Sequence, residues 1–177
     1  MQSAHEAGHA TLAVAVGETV DAVYARIGNQ LANGGFLVGF FTRHHSANIR
    51  TRLLIASAGA AGELVLTGTW RAENALPDRE LLFEEGFSNF DYCVTIAAEL
   101  LRQNRSLLIA VRDAIKASMC RLGIVSQKRL SPGDLSLVSG EEIANVFRSM
   151  GSRRADSSQF DIAIARQRAP EHKANEW

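Results

Sequence analysis

Cysteine is scarce. Cys93 and Cys120 are the two in 177 residues, far apart and outside any C-x-x-C spacing, which argues against a disulfide framework and against a cysteine zinc site; buried free thiols are expected. An excess of charge of either sign is also missing. The 19 basic side chains balance 19 acidic ones, so the chain has no general attraction to nucleic acid or to an anionic membrane, and Arg153-Arg154 is too short a run to supply one. No apolar stretch reaches the roughly 18 residues that a membrane span requires. The opening residues lack the basic, apolar and small-residue order of a secretory signal, so a soluble, cytoplasmic chain is expected. Internal repeats and low-complexity blocks are absent, as is the phosphate-binding pattern G-x-x-x-x-G-K-[ST]. A hydrophobic fraction of 46% with 21% charged residues excludes disorder throughout and fits one folded domain, with or without a tail.

Against this plain background the first helix carries concentrated chemistry. Residues 3–16 include His5-Glu6-Ala7-Gly8-His9, an H-E-x-x-H spacing. Helix positions i and i+4 share one face, so the two imidazoles can turn towards one tetrahedral Zn²⁺ at about 2.0–2.1 Å, with room for a third ligand and a water. Zinc brings the pKa of such a water to roughly 7 and polarises a carbonyl. Glu6, beside His5, is placed to take the water's proton and pass it to a leaving amine. The pattern thus points to metal-assisted hydrolysis of peptide bonds. A competing reading is local: Ser3 and Glu6 also fit S-x-x-E, a capping box that would occupy Glu6 at the helix start. The residues from Thr11 to Val16 are almost wholly apolar, which predicts a buried helix, where two histidines without a partner would be costly.

Further along, Gly17 ends the helix, 18–27 alternates weakly as a strand, 28–35 is turn-rich, and 36–42 forms a second strand, giving an antiparallel ribbon. Its glycines suggest a strand edge on which an extended peptide substrate pairs; an ordinary sheet edge fits equally well. His44 and His45 fall on a loop or helix start; as metal ligands they would suffer from the divergence of adjacent side chains, so a surface location is expected. A long helix then runs to Gly68, and its Ala58-Gly59-Ala60-Ala61-Gly62 run allows close approach to the equally small-faced first helix. Residues 69–86, with Pro77, read as an exposed loop with at most a short helical turn. Ser88 or Asn89 caps a helix to about Leu101, another runs from 104 to 122, and 131–134 is a turn. Ser139-Gly140-Glu141-Glu142 is a capping box, with Val138 and Ile143 as its staple, for a last helix to about Met150.

Two acids bear on the metal. Glu63, the one carboxylate in an apolar helical stretch, is expected to orient a histidine through its second nitrogen. Asp91, in the first turn of its helix, is a candidate third ligand; the helix dipole favours an acid there in any case, and spacing alone leaves the two readings even.

These residues, in order, resemble the peptidase domain of the FtsH-type ATP-dependent zinc metalloproteases. Ala4-His5-Glu6-Ala7-Gly8-His9-Ala10 is similar to that family's zinc helix, Gly34-Gly35-Phe36-Leu37-Val38-Gly39 to its substrate-side strand, and Ala58-Gly59-Ala60-Ala61-Gly62-Glu63-Leu64 to its second helix. Ser88-Asn89-Phe90-Asp91 resembles the segment supplying its aspartate ligand, and Gly140-Glu141-Glu142-Ile143 a motif of its final helix. The resemblance implies a mainly α, zincin-like domain with a small β-ribbon over 1–150, followed by a polar tail, 151–177. It implies Zn²⁺ held by His5, His9 and Asp91, with Glu6 as general base, and unfolded or flexible protein as substrate. It also implies a homo-oligomeric ring and an ATP-dependent unfoldase, here supplied by a separate chain or a missing part of a longer one. The alternative is a peptide-binding or assembly domain with a structural or vestigial metal.

Overall fold

The computed structural model describes residues 2–46, 48–127, 130–151 and 154–156. Most of the 151–177 tail expected from the sequence lies outside them. The architecture is mainly helical with one small sheet: α1 (Gln2–Ala15), β1 (Thr19–Gln30), β2 (Phe36–His45), α2 (Ile49–Thr67), α3 (Leu76–Glu84), α4 (Phe90–Gln103), α5 (Arg105–Arg121), β3 (Gly133–Ser139) and α6 (Gly140–Ser149). No described helix is long and apolar enough to cross a membrane.

Helix α1 is buried almost all round, polar residues included, as its apolar composition requires. It lies against α2, and the contact is made of backbone. A Cβ on Gly8 would stand 2.0 Å from the Ala58 carbonyl oxygen, and one on Gly62 2.5 Å from that of Ala4. Only glycine fits at these two points, so the helices approach more closely than ordinary side chains permit. Close approach is what lets short side chains on one helix meet groups held by the other. Leu53, Leu54, Leu101, Leu107, Leu108 and Ile115, all essentially inaccessible to solvent, form the core behind the pair.

The expected ribbon is there, extended by a third strand. The order is β2-β1-β3 and both pairings are antiparallel. β3 runs directly into α6 from the segment read as a turn. The two expected features at this junction are both present: the Ser139 hydroxyl accepts from the Glu142 amide at 3.2 Å, and the Glu142 carboxylate accepts from the Ser139 amide at 2.8 Å. Among the described residues β2 pairs only with β1, so its other side is an open strand edge.

The clearest departure from the sequence reading lies between α2 and α4. The stretch read as loop contains α3, whose Pro77 sits in the first helical positions, where a missing amide costs nothing and the fixed φ favours the helix.

Candidate metal centre and active site

His5 and His9, one turn apart on α1, turn their rings to the same side with centroids 4.8 Å apart and planes at 79°. Two further side chains complete the cluster. Asp78, in the first turn of α3, brings Oδ2 to 3.1 Å from His5 Nε2 and 3.5 Å from His9 Nε2. In a tetrahedral zinc site with bonds of about 2.0–2.1 Å, neighbouring ligand atoms stand about 3.3–3.4 Å apart, so these separations match its edges. The three ligand atoms lie within 4.8 Å of one another.

The outer contacts orient the rings. His9 Nδ1 lies 2.7 Å from the Ile55 carbonyl, to which it can only donate, leaving the Nε2 lone pair for an ion. His5 Nδ1 lies 3.5 Å from Glu63 Oε1. Glu63 is itself fully buried and accepts from the Arg71 amide at 2.9 Å and the Asn74 side chain at 2.6 Å. It therefore ties down the 69–75 segment that delivers Asp78, and faces His5 Nδ1 without a directed hydrogen bond. Glu63 stands on the Nδ1 side of His5, the side from which an orienting acid was expected.

Three observations fit a cation at the centre. First, Asp78 Oδ2 is buried and takes part in no well-directed hydrogen bond despite two nitrogens within reach. The atoms are near each other without aiming at each other, as ligands around a shared point are. Second, a Cβ on Gly59 of α2 would stand 2.4 Å from His5 Nε2 and 2.5 Å from His9 Nε2. Glycine there keeps any side chain off the two nitrogens, so both Nε2 atoms stay uncovered on the α2 side. Third, Glu6, Glu63 and Asp78 put three carboxylates around two histidines in a largely buried site, a charge imbalance that costs energy unless a positive group offsets it.

Protons play that part when no metal is bound. Burial opposes a charge on His5, but Asp78 and Glu63 outweigh it and raise its pKa to about 10. His9 is raised too: Asp78 overcomes burial and the repulsion of His5. Burial would raise Asp78, yet the two imidazoles hold it down at about 2. Glu63 likewise sits below its usual value, because His5, Asn74 and the Arg71 amide outweigh burial. A metal taking this site must displace these protons.

Glu6 adjoins His5 and lines the same cavity, of about 500 Å³, as His5, His9 and Asp78. Thr42 of β2 donates its hydroxyl to Glu6 Oε2 at 2.8 Å, fixing one carboxylate oxygen. Ser3 lies inside α1, so the capping-box reading of Ser3 and Glu6 does not hold. The site thus joins two imidazole nitrogens, an aspartate oxygen and a second carboxylate at one cavity.

Asp91 is not part of it. Phe90 turns inward and stacks edge-on against Trp70 at 5.6 Å, and Asn89 caps α4 by accepting from the Tyr92 amide. Asp91, one residue on, is consequently exposed in the first turn, where the helix dipole favours an acid. The acid that stands beside His5 and His9 is Asp78, where the sequence reading expected Asp91. Pro77-Asp78 ahead of Leu81-Leu82 was the available signal, a proline and an acid at a helix start. The two histidines of 44–45 also separate. His45 is exposed and reaches Asp21 at 3.0 Å, whereas His44 lines the cavity instead of lying on an outer loop. The chain matches no family model and no curated protein.

Proposed function

We propose that the chain is a zinc-dependent endopeptidase acting on unfolded or flexible protein segments. The observation that carries this reading is the meeting of His5 Nε2, His9 Nε2 and Asp78 Oδ2 beside a carboxylate held by Thr42 in an open cavity. His5, His9 and Asp78 would hold the ion; when bound, it would acidify a water and polarise the scissile carbonyl. Glu6 takes the proton as the water oxygen bonds to the carbonyl carbon, then delivers it to the nitrogen as the C–N bond breaks. Thr42 keeps Glu6 on the cavity side of α1 through both transfers.

The open edge of β2 supplies a place for the substrate. An extended peptide adding as a strand there would satisfy its backbone groups on the chain and pass the scissile bond over the cavity that Phe40, Thr42 and His44 line. Such pairing demands an extended segment, so a folded substrate first has to be opened. The family resemblance puts that task on an ATP-dependent unfoldase, separate or part of a longer chain, and implies assembly into a ring.

The test is Glu6→Gln. The variant is expected to bind one zinc per chain, as the unaltered protein does, and to lose cleavage of casein by about 10²–10⁴-fold, the usual worth of a positioned acid–base group. Undiminished cleavage by the variant would refute the assignment, and zinc uptake without cleavage by the unaltered protein would favour a binding or assembly domain.

A further inference from the structure

We propose that His44 is a second catalytic side chain of this site, donating a ring N–H to the substrate's carbonyl oxygen as that oxygen becomes an oxyanion. The inference rests on the endopeptidase reading and adds to it a group that the H-E-x-x-H pattern does not contain.

Strand geometry places the residue. Side chains two apart on a strand share a face, about 6.6 Å from each other, and Thr42 uses that face to hold Glu6. His44 is the next residue on it, lines the same cavity and feels the charge of His9. Thr42 is therefore opposite Glu6 and His44 is near His9, so β2 runs beside α1 with the base towards one end of the cluster and His44 towards the other. A carbonyl lying across the cluster between Glu6 and His44 would present its oxygen to the His44 ring.

The imidazole is also unspent. Its Nδ1 is buried and without a hydrogen-bond partner among the described residues, whereas His45 next to it is engaged by Asp21. A neutral imidazole still carries one N–H to donate. It does not belong to the ligand set, which His5, His9 and Asp78 make up. In the step it serves, the water oxygen bonds to the carbonyl carbon and its proton goes to Glu6. The carbonyl π pair moves onto oxygen, where the His44 N–H meets it, and returns when the C–N bond breaks. A donor aimed at a forming oxyanion is worth about 10²–10³-fold in kcat.

The experiment compares zinc-loaded unaltered protein with His44→Ala and His44→Gln on a quenched-fluorescent peptide cut by the unaltered protein. Zinc stoichiometry and affinity for a phosphinic analogue of that peptide are measured on the same samples. Expected are one zinc per chain in all three, a kcat about 10²–10³-fold lower in His44→Ala with little change in KM, and partial recovery in His44→Gln, whose amide can donate. The phosphinic analogue, which mimics the tetrahedral state, should lose affinity by the same factor as kcat/KM. If His44→Ala does not fold, His44→Gln carries the same comparison. A kcat within about threefold of the unaltered protein overturns the proposal, as does a loss of KM alone. Loss of zinc from either folded variant also overturns it, by showing a ligand or a structural part. Absence of cleavage by the unaltered protein overturns the endopeptidase reading and this inference with it, whereas cleavage indifferent to His44 overturns the inference alone.

Discussion

The first turns of α3 and α4 make a natural pair. Each follows a loop, each carries one aspartate, Asp78 and Asp91, and each aspartate suits the positive end of a helix dipole. Yet one acid enters the histidine cluster and the other faces solvent. In α4 the residue before the acid is Phe90, which is drawn into the core beside Trp70; successive helix positions differ by about 100°, so burying Phe90 turns Asp91 outward. In α3 the buried residue is Leu82, four positions after Asp78 and on the same side of the helix. Burying Leu82 therefore turns Asp78 towards α1. A dipole-compatible acid is thus a poor guide to which acid turns inward, and the neighbouring apolar residue that chooses the inward face is a better one.

This contrast can be broken most severely by exchanging the acids. Asp78→Ala should lower zinc affinity by more than the roughly 10–100-fold expected for loss of an orienting partner, while Asp91→Ala should leave it unchanged; competition with a chromogenic chelator reads both. Thermal melts supply an independent check. Zinc at about 100 times its Kd should stabilise the unaltered protein and Asp91→Ala by about 2.7 kcal/mol and Asp78→Ala hardly at all. Equal losses in the two variants would erase the distinction.

A second, smaller disturbance acts on the space between the ligands. Gly59→Ala puts a methyl where the two Nε2 atoms converge, so it should weaken zinc binding and, by overpacking, cost about 1–3 kcal/mol of stability. Gly39→Ala is the control, because nothing stands within 4 Å of a Cβ there. Zinc titrations and urea melts on the two variants side by side measure the difference. Zinc affinity intact in Gly59→Ala would show that the two nitrogens do not need the clearance that glycine gives them.

The mildest test uses a third helix start, that of α6, where the acid serves the backbone alone. Hydrogen bonds from the Ser139 amide and hydroxyl hold the Glu142 carboxyl below its ordinary value. Its contribution is thus present above the unfolded pKa, about 4.5, and fades as pH falls through the lower folded value. Because Glu142 is exposed, solvent screening keeps the effect to a few tenths of a kcal/mol. Glu142→Gln should flatten that acid limb of a stability-against-pH curve, with zinc affinity unaffected. An unchanged acid limb would deny the cap its electrostatic part.

Much of the fold was legible because its signals are local. The glycine-rich run in α2, the turn-rich 28–35 segment, and Ser139 with Glu142 each act within a few residues, and each appears in the structure as an interhelical contact, a hairpin or a capping box. β3 was missed because a short strand at a sheet edge takes its identity from the partner strand, here β1. α3 was missed because Pro77 suggested a loop, although proline at a helix's first positions is a start signal. Of the site, His5, Glu6, His9 and Glu63 could be read in advance, since one helix face or one buried acid defines them. The meeting of Asp78 and His44 with that helix could not, since a helix start or a strand does not say which way it faces a distant helix.

By itself the amino-acid order determined that two imidazoles and a carboxylate share one buried helix, because a 3.6-residue turn leaves no other arrangement of His5, Glu6 and His9. Only the tertiary structure decided which remote groups meet them. Glycine contacts draw α2 against α1, Leu82 turns α3 inward, and β1 holds β2 with Thr42 and His44 facing the cavity. Those choices are made by packing between segments far apart in the chain, and no short-range pattern encodes them.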